Sequence, residues 1–412
     1  MPAGLVGAPL VGALSGQYLK RKRFNVNIRR FARFVFVLAI VGLSACDQIG
    51  QLLIPATPQM EGISGEIRIG VSLPLTGRFV AAYGYIPMEQ GFELALEEIN
   101  ASLLNDAKVT FITEDDRGTV EGAVEAFNKL IHQAGVPIIL GPGLSSQAQK
   151  VFPIAQQNGV VVFSPTSGAS GLSALGDFVF RATLTTDVLI PSGIKATQSK
   201  LGYQQVATIY DESDFYSIDS DTVSRAAFAG NGIDVLTTET FQSGETDFST
   251  QLTRIKASNP DAIFISALSP DISAILIRGR QLGIPDSVPF IIPDLPSNEV
   301  EAAGEAAEGV ITFTGWASSA DTPGNQVFVQ KYRATYGLEP NIFVAQAYAA
   351  AYILTAAIVE AQSTDPIAIR DALANTKNFD TVLGQFSFNE VGDAVYDPVV
   401  LIVENGGFQI FE

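Results

Sequence analysis

The sequence predicts two doubly wound α/β lobes, and three observations support this. From Glu66 onward, short runs rich in β-branched and aromatic residues alternate with amphipathic helical patterns. The alternation runs once as far as VVVFSPT and DFVFRAT and restarts at QVATIYDES. Roughly 365 residues follow Cys46, more than one ordinary hydrophobic core accommodates.

The first lobe reads as EIRIGVSLPL, then a helix in MEQGFELALEEIN; KVTFITEDD, then VEGAVEAFNKLIHQAG; VPIILGP, then SSQAQKVFPIAQQNG; and finally VVVFSPT. Ala123, Ala126, Phe127, Leu130 and Ile131 recur at the spacing of one helical face. The strands are near-continuous apolar runs, as in a parallel sheet covered on both sides. After DFVFRATLTTD a helix runs to Leu201. The strands QVATIYDES, IDVLTTETF, AIFISALS, PFIIPD and VITFTGW follow, with helices between the earlier ones. Residues 325–376 read as largely helical, and FSFNE and PVVLIVENGGFQIFE close the chain as strands. One sheet holding all of these would be unusually wide, so two are expected. A ligand then sits between the lobes, outside the carboxyl ends of the strands.

The N-terminal region predicts export. Cys46 is the sole cysteine, which excludes an internal disulfide and any metal site built on several thiolates. A lone cysteine is ordinarily a core residue, but this one follows the apolar stretch FVFVLAIVGLSA and the basic NIRRFAR. That order is a secretory signal, and the run is too short to span a membrane. Leu43-Ser44-Ala45-Cys46 resembles the lipobox of bacterial lipoproteins, which implies a lipid on Cys46 and cleavage before it. Residues 1–25 add a second apolar run and a second basic cluster, Lys20 to Arg23, as though translation began near Val26. Residues 46–64, rich in Gly, Pro and Ser near GQLLIPATPQMEGISG, read as a tether.

Seven of the 25 basic residues and none of the 43 acidic ones precede Cys46, which leaves a net charge of −25 after it. Such a surface disfavours nucleic acid, whose phosphates need a positive field. Catalysis has little to work with. His132 is the only histidine and stands at the end of an amphipathic helix, where the dipole favours it. No Ser–His–Asp or Cys–His set can be assembled, and neither GxxxxGK[ST] nor GxGxxG occurs. Glu114–Asp116 reads as a loop or helix cap rather than a metal or acid pair. No enzyme, cofactor or metal is expected.

The loops at the strand ends carry more. GPGLSSQAQ puts Ser145 and Ser146 at a helix start, where they either cap the helix or, with free amides, receive a carboxylate. FSPTSGAS repeats the theme with Thr166 and Ser167. Asp294 ends an apolar strand in PFIIPDLPSN and is either a helix cap or the receptor of a cation.

These features together resemble the type I periplasmic solute-binding proteins, specifically the leucine/isoleucine/valine-binding family of ABC importers. TGRFVAAYG, EDDRGTVEGAVEAFNKLI, GPGLSSQ, VVVFSPTS, DFVFRAT, the Asp211–Tyr216 stretch, YGLEPNIFVAQAYAA and GQFSFNEVGD carry the resemblance in order, from about Glu66 to the C-terminus. It implies a Venus-flytrap with hinge crossings near Thr183–Asp187, Thr314–Ser319 and Val382–Phe388. Residues 65–184 and 318–384 would form the N-terminal lobe, and 185–317 and 385–412 the C-terminal lobe. It also implies that Ser145 contacts a ligand carboxylate, Thr166 offers backbone, Tyr83 lies at the cleft mouth and Asp294 receives an α-ammonium. Four positions depart from the amino-acid-binding pattern: Gly168 replaces a threonine, Phe215 a tyrosine (Tyr216 adjoins it), and Leu268 and Ser269 replace aromatic residues of the far wall.

The implied protein is a lipid-anchored, extracytoplasmic receptor, held on the periplasmic face of the inner membrane if the host has two membranes. It would bind an amino acid or similar small polar solute and pass it to an ABC permease. The alternative is a sensor of the same build that binds an amide, urea or peptide fragment and signals to a partner.

Overall fold

A computed structural model describes residues 63–411 apart from 84 and 103–106. The signal, Cys46 and the tether lie outside the described residues. The N-terminal lobe forms from β1 (Gly65–Leu73), α1 (Val80–Tyr83), α2 (Gln90–Ser102), β2 (Ala107–Asp115), α3 (Val120–Lys129), β3 (Ile138–Leu140), α4 (Ser145–Gln157), β4 (Val161–Ser164) and β5 (Val179–Arg181). Its five strands are parallel, in the order β2-β1-β3-β4-β5. β3 and β4 are buried throughout, which is why they read as continuous apolar runs.

The chain then enters the second lobe through α5 (Thr186–Leu201), followed by β6 (Gln205–Asp211), α6 (Phe215–Gly230), β7 (Asp234–Phe241), α7 (Ser249–Ser258), β8 (Ala262–Ser266), α8 (Asp271–Gln281), β9 (Phe290–Pro293), α9 (Ser297–Ala303) and β10 (Ile311–Thr314). It returns through α10 (Asn325–Tyr336), α11 (Ile342–Ala361) and α12 (Pro366–Ala374), and α11 packs on α2. α11 is apolar and long enough to cross a membrane, but it is largely buried and serves as a core helix here. α5 lies so close to the second sheet that a Cβ on Gly193 would stand 2.1 Å from the Phe313 ring, so no larger residue fits there.

The short strands β11 (Phe379–Thr381), β12 (Gly384–Phe388) and β13 (Ala394–Val395) make a separate three-stranded sheet. The structure corrects the expected third crossing at this point. Phe388 packs edge-on against Phe163 and Phe180 of the first lobe, and the Arg181 amide donates to the Gly392 carbonyl (3.1 Å). The chain therefore stays with the N-terminal lobe through β13 and crosses at residues 396–398. β14 (Val399–Glu404) and β15 (Gly407–Ile410) then add antiparallel strands to the second sheet, whose order is β15-β14-β10-β9-β8-β6-β7.

All three crossings meet at Tyr396. Its hydroxyl donates to the Ala182 carbonyl (3.1 Å), and a Cβ on Gly315 would stand 2.6 Å from that oxygen. The base of the cleft is thus gathered around one buried tyrosine.

Candidate functional site

The first lobe brings the hydroxyl loops to its strand ends. α4 begins at Ser145, yet neither Ser145 nor Ser146 caps it. Gln147 does so, with its Oε1 accepting from the Leu144 amide (3.3 Å). Ser145 is buried, and its Oγ accepts from the Ala169 amide (3.1 Å), which leaves its O–H to donate. Ser146 is half-buried beside it. The half-buried Thr166 donates to the Gly143 carbonyl (2.7 Å), and Ser167 donates to the Pro142 carbonyl (3.1 Å). Those bonds tie the two loops together, so the Ser167 hydroxyl does not stand in for the threonine that Gly168 replaces. The Tyr216 ring fills that place, 3.4 Å from where a Gly168 Cβ would be.

Arg181 supports this floor from below. It is fully buried and donates to the carbonyls of Ser167 (2.9 Å) and Ala169 (2.5 Å), to Ser173, and through Nε and Nη2 to Asp393 (3.0 and 2.6 Å). Glu114–Asp116 also proves structural. Asp115 accepts from the amides of Leu75, Thr76 and Arg117, and the buried Asp116 accepts from Ser72 and Gly118. Thr119, rather than either acid, caps α3. His132 is exposed at the far end of that helix. Among the described residues no group of His, Cys, Asp and Glu could hold a metal.

The facing wall comes from the second lobe. Leu268 is buried, and Phe215 is half-buried at the first turn of α6. Tyr83, its ring tilted against that of Phe343 (centroids 4.8 Å apart), turns its hydroxyl to the backbone of Ser269 across the cleft. Burial first, then the charges of Asp214 and Asp294, hold that phenol well above its usual range.

Several acids surround this point, but most are already engaged. Asp214 caps α6 through Ser217 (2.9 Å), and burial raises its carboxyl to about 6. Glu299 accepts from the Ser273 amide (2.8 Å) and from Ser269. Asp294 differs. It follows β9 in a left-handed conformation (φ 51°), and α9 begins behind Pro296 with no side-chain cap, so the helix-cap reading fails. Burial raises its carboxyl to about 7, and only the neighbouring Thr314 works in the other direction.

Contacts between the lobes flank the site on both sides. Arg78, from the loop after β1, pairs with the buried Asp271 of α8 (2.8 Å) and donates to Ser243 (2.9 Å). Opposite, Asp219 of α6 accepts from the amide and hydroxyl of Ser170 and from Thr186. The lobes are therefore held closed. Because Arg78 is about one-third exposed, its ion pair contributes only about 1 kcal/mol. Arg78→Ala is expected to weaken ligand binding roughly 3- to 10-fold, mostly through faster release. Stopped-flow dissociation would check this, and an unchanged off-rate would show that the latch is idle.

Sequence reasoning missed Arg78, Thr314, Gln346 and Tyr396 as side chains of the site, and noted Tyr216 only as the neighbour of Phe215. Gln346 alone left a signal: it is the one amide inside the otherwise apolar run of α11.

A family model described as periplasmic binding protein matches residues 66–406. A leucine-, isoleucine-, valine-, threonine- and alanine-binding protein of Pseudomonas aeruginosa is 27% identical over 332 residues, covering 79% of this chain and 87% of the relative. The crystal structure of a leucine-binding protein from Thermotoga maritima superposes with a TM-score of 0.79 at 30% identity, over 84% of this chain and 98% of that one. A branched-chain amino acid transporter substrate-binding protein from Streptococcus pneumoniae, solved with isoleucine, gives a TM-score of 0.76 at 25% identity, over 84% and 98% of the two chains.

Proposed function

This chain belongs to the periplasmic binding protein family, and from that premise we propose that it captures an amino acid or closely related solute between its lobes and delivers it to an ABC importer. The family is one of solute-binding proteins rather than enzymes. One observation carries the reading of the ligand: Asp294 has no helix to cap, and its charge bears on Tyr83 of the first lobe and on Tyr216, which packs against Gly168 of that lobe; we read the free Ser145 hydroxyl as its counterpart across the cleft. A zwitterion complements that pair, with its ammonium on the carboxylate and its carboxylate on the hydroxyl and helix N-terminus. Tyr83, Thr166 and Leu268 enclose it, and Phe215 and Ser146 lie at the edge. Relatives named for binding leucine, isoleucine and valine support the amino acid class. The lipobox at Cys46 supports anchoring outside the cytoplasm, where a tethered receptor stays within reach of its permease.

The test is thermal unfolding of the purified full chain in detergent against all amino acids, amides and urea. A ligand at 100 times its Kd stabilises by about 2.7 kcal/mol, a shift of about 2 °C or more. A response to amino acids is expected, together with release of the protein from membranes when Cys46 is replaced by alanine. A response confined to ligands without an ammonium would overturn the reading.

A further inference from the structure

Buried polar atoms in folded proteins are almost always hydrogen-bonded, and each exception calls for a cause. Three such atoms lie near the base of this cleft: Tyr216 Oη and Gln346 Oε1 are buried without a partner, and Thr314 Oγ1, buried too, has only the Asp294 carboxylate beside it. Thr314 lies against the Asp294 carboxylate, and the charge of Asp294 bears on Tyr216. Gln346 reaches the same place from the first lobe. It sits beside the Tyr396 hydroxyl at the meeting of the three crossings, and Asp294 acts on that tyrosine too. Thr314 and Tyr216, and Gln346 by way of Tyr396, are thus gathered near one carboxylate from both lobes, where they would close on a bound solute.

Counting donors narrows the solute. An α-ammonium offers three N–H groups. Asp294, Thr314 and Tyr216 accept all three, which leaves the Gln346 Oε1 unanswered, its amide N–H already being spent on Tyr396. An alkyl side chain cannot answer it, and a buried amide left unpaired opposes binding. A hydroxyl or an amide answers it, since each carries a hydrogen to donate to that oxygen, and the Tyr396 O–H is already given to Ala182.

We propose that the Gln346 amide selects an amino acid whose side chain carries a hydroxyl or amide, in preference to the branched aliphatic amino acids. The inference rests on the amino acid reading above and adds the class of side chain. It also gives the one amide of a largely apolar helix a reason to be there.

Isosteric pairs test it. Calorimetry on the purified full chain would compare threonine with valine and asparagine with leucine. The polar member of at least one pair is expected to bind tenfold or more tightly. Gln346→Leu fits an apolar helix and should abolish that preference, weakening the polar ligand at least tenfold while leaving its alkyl partner unchanged or tighter. Thr314→Val should weaken both members of a pair alike, because it serves the shared ammonium. Tighter binding of valine and leucine by the wild type, or a preference that survives Gln346→Leu, overturns the proposal alone. Failure of every amino acid to bind overturns the underlying reading and this one with it.

Discussion

Asp294→Asn is expected to weaken amino acid binding by a factor of about 100 or more. Removing one partner of a buried, hydrogen-bonded charge pair costs about 2–5 kcal/mol, because the other charge stays desolvated. The wild type should also show a pH signature. In the empty cleft, burial holds the Asp294 carboxyl at about 7, and a cationic ligand needs it ionised. Above pH 7 the affinity should be flat. Below it a proton competes with the ligand, and the Kd should rise about tenfold per pH unit. An affinity unchanged between pH 8 and pH 5 would remove Asp294 from the ammonium site.

The same carboxylate strains the empty protein, and the direction is fixed by linkage. Its folded-state value lies above the ordinary aspartate value of about 3.9, so the folded form holds the proton more tightly. The resulting stability is fully present below about pH 4 and is lost as pH rises to about 7. The loss amounts to up to about 4 kcal/mol. Asp214 adds a smaller loss of the same sign between about pH 4 and 6. Asp294→Asn should therefore raise the melting temperature of the ligand-free protein at pH 8 and flatten its pH profile. One substitution that abolishes binding while raising stability separates a functional carboxylate from a structural one.

The second large effect belongs to Arg181. Arg181→Leu is expected to destabilise the protein by about 3–5 kcal/mol, since it strands the Asp393 carboxylate and two loop carbonyls that the guanidinium now satisfies. Melting should fall by roughly 4–7 °C. Binding should weaken as well, because the freed loop carries Thr166 and the Ala169 amide that orients Ser145. Lysine should rescue little, because a single ammonium cannot reproduce the fork toward Asp393. A melting temperature within one degree of the wild type would show that the loop does not depend on this cation.

Much of the architecture was legible because secondary structure leaves a local periodic trace. The apolar runs of β3, β4 and β8 and the spacing of Ala123, Ala126, Phe127 and Leu130 are properties of a dozen neighbouring residues. The positions of Ser145 at a helix start and of Asp294 just past a strand were legible for a related reason, each being a polar residue after a buried run.

What each polar residue does was settled only by folding. Ser167 resembles Ser145 in sequence, yet its hydroxyl is taken up by Pro142 while that of Ser145 stays available. The third crossing was misplaced because FSFNE reads as a strand without revealing which lobe it joins; Phe163 and Phe180 decide that. Arg78 meets Asp271 across 193 positions, Arg181 meets Asp393 across 212, and Tyr396 meets Ala182 across 214. Periodicity encodes which face of an element is buried. It carries no information about which distant face arrives to cover it, and a cleft between two lobes is built wholly from such arrivals.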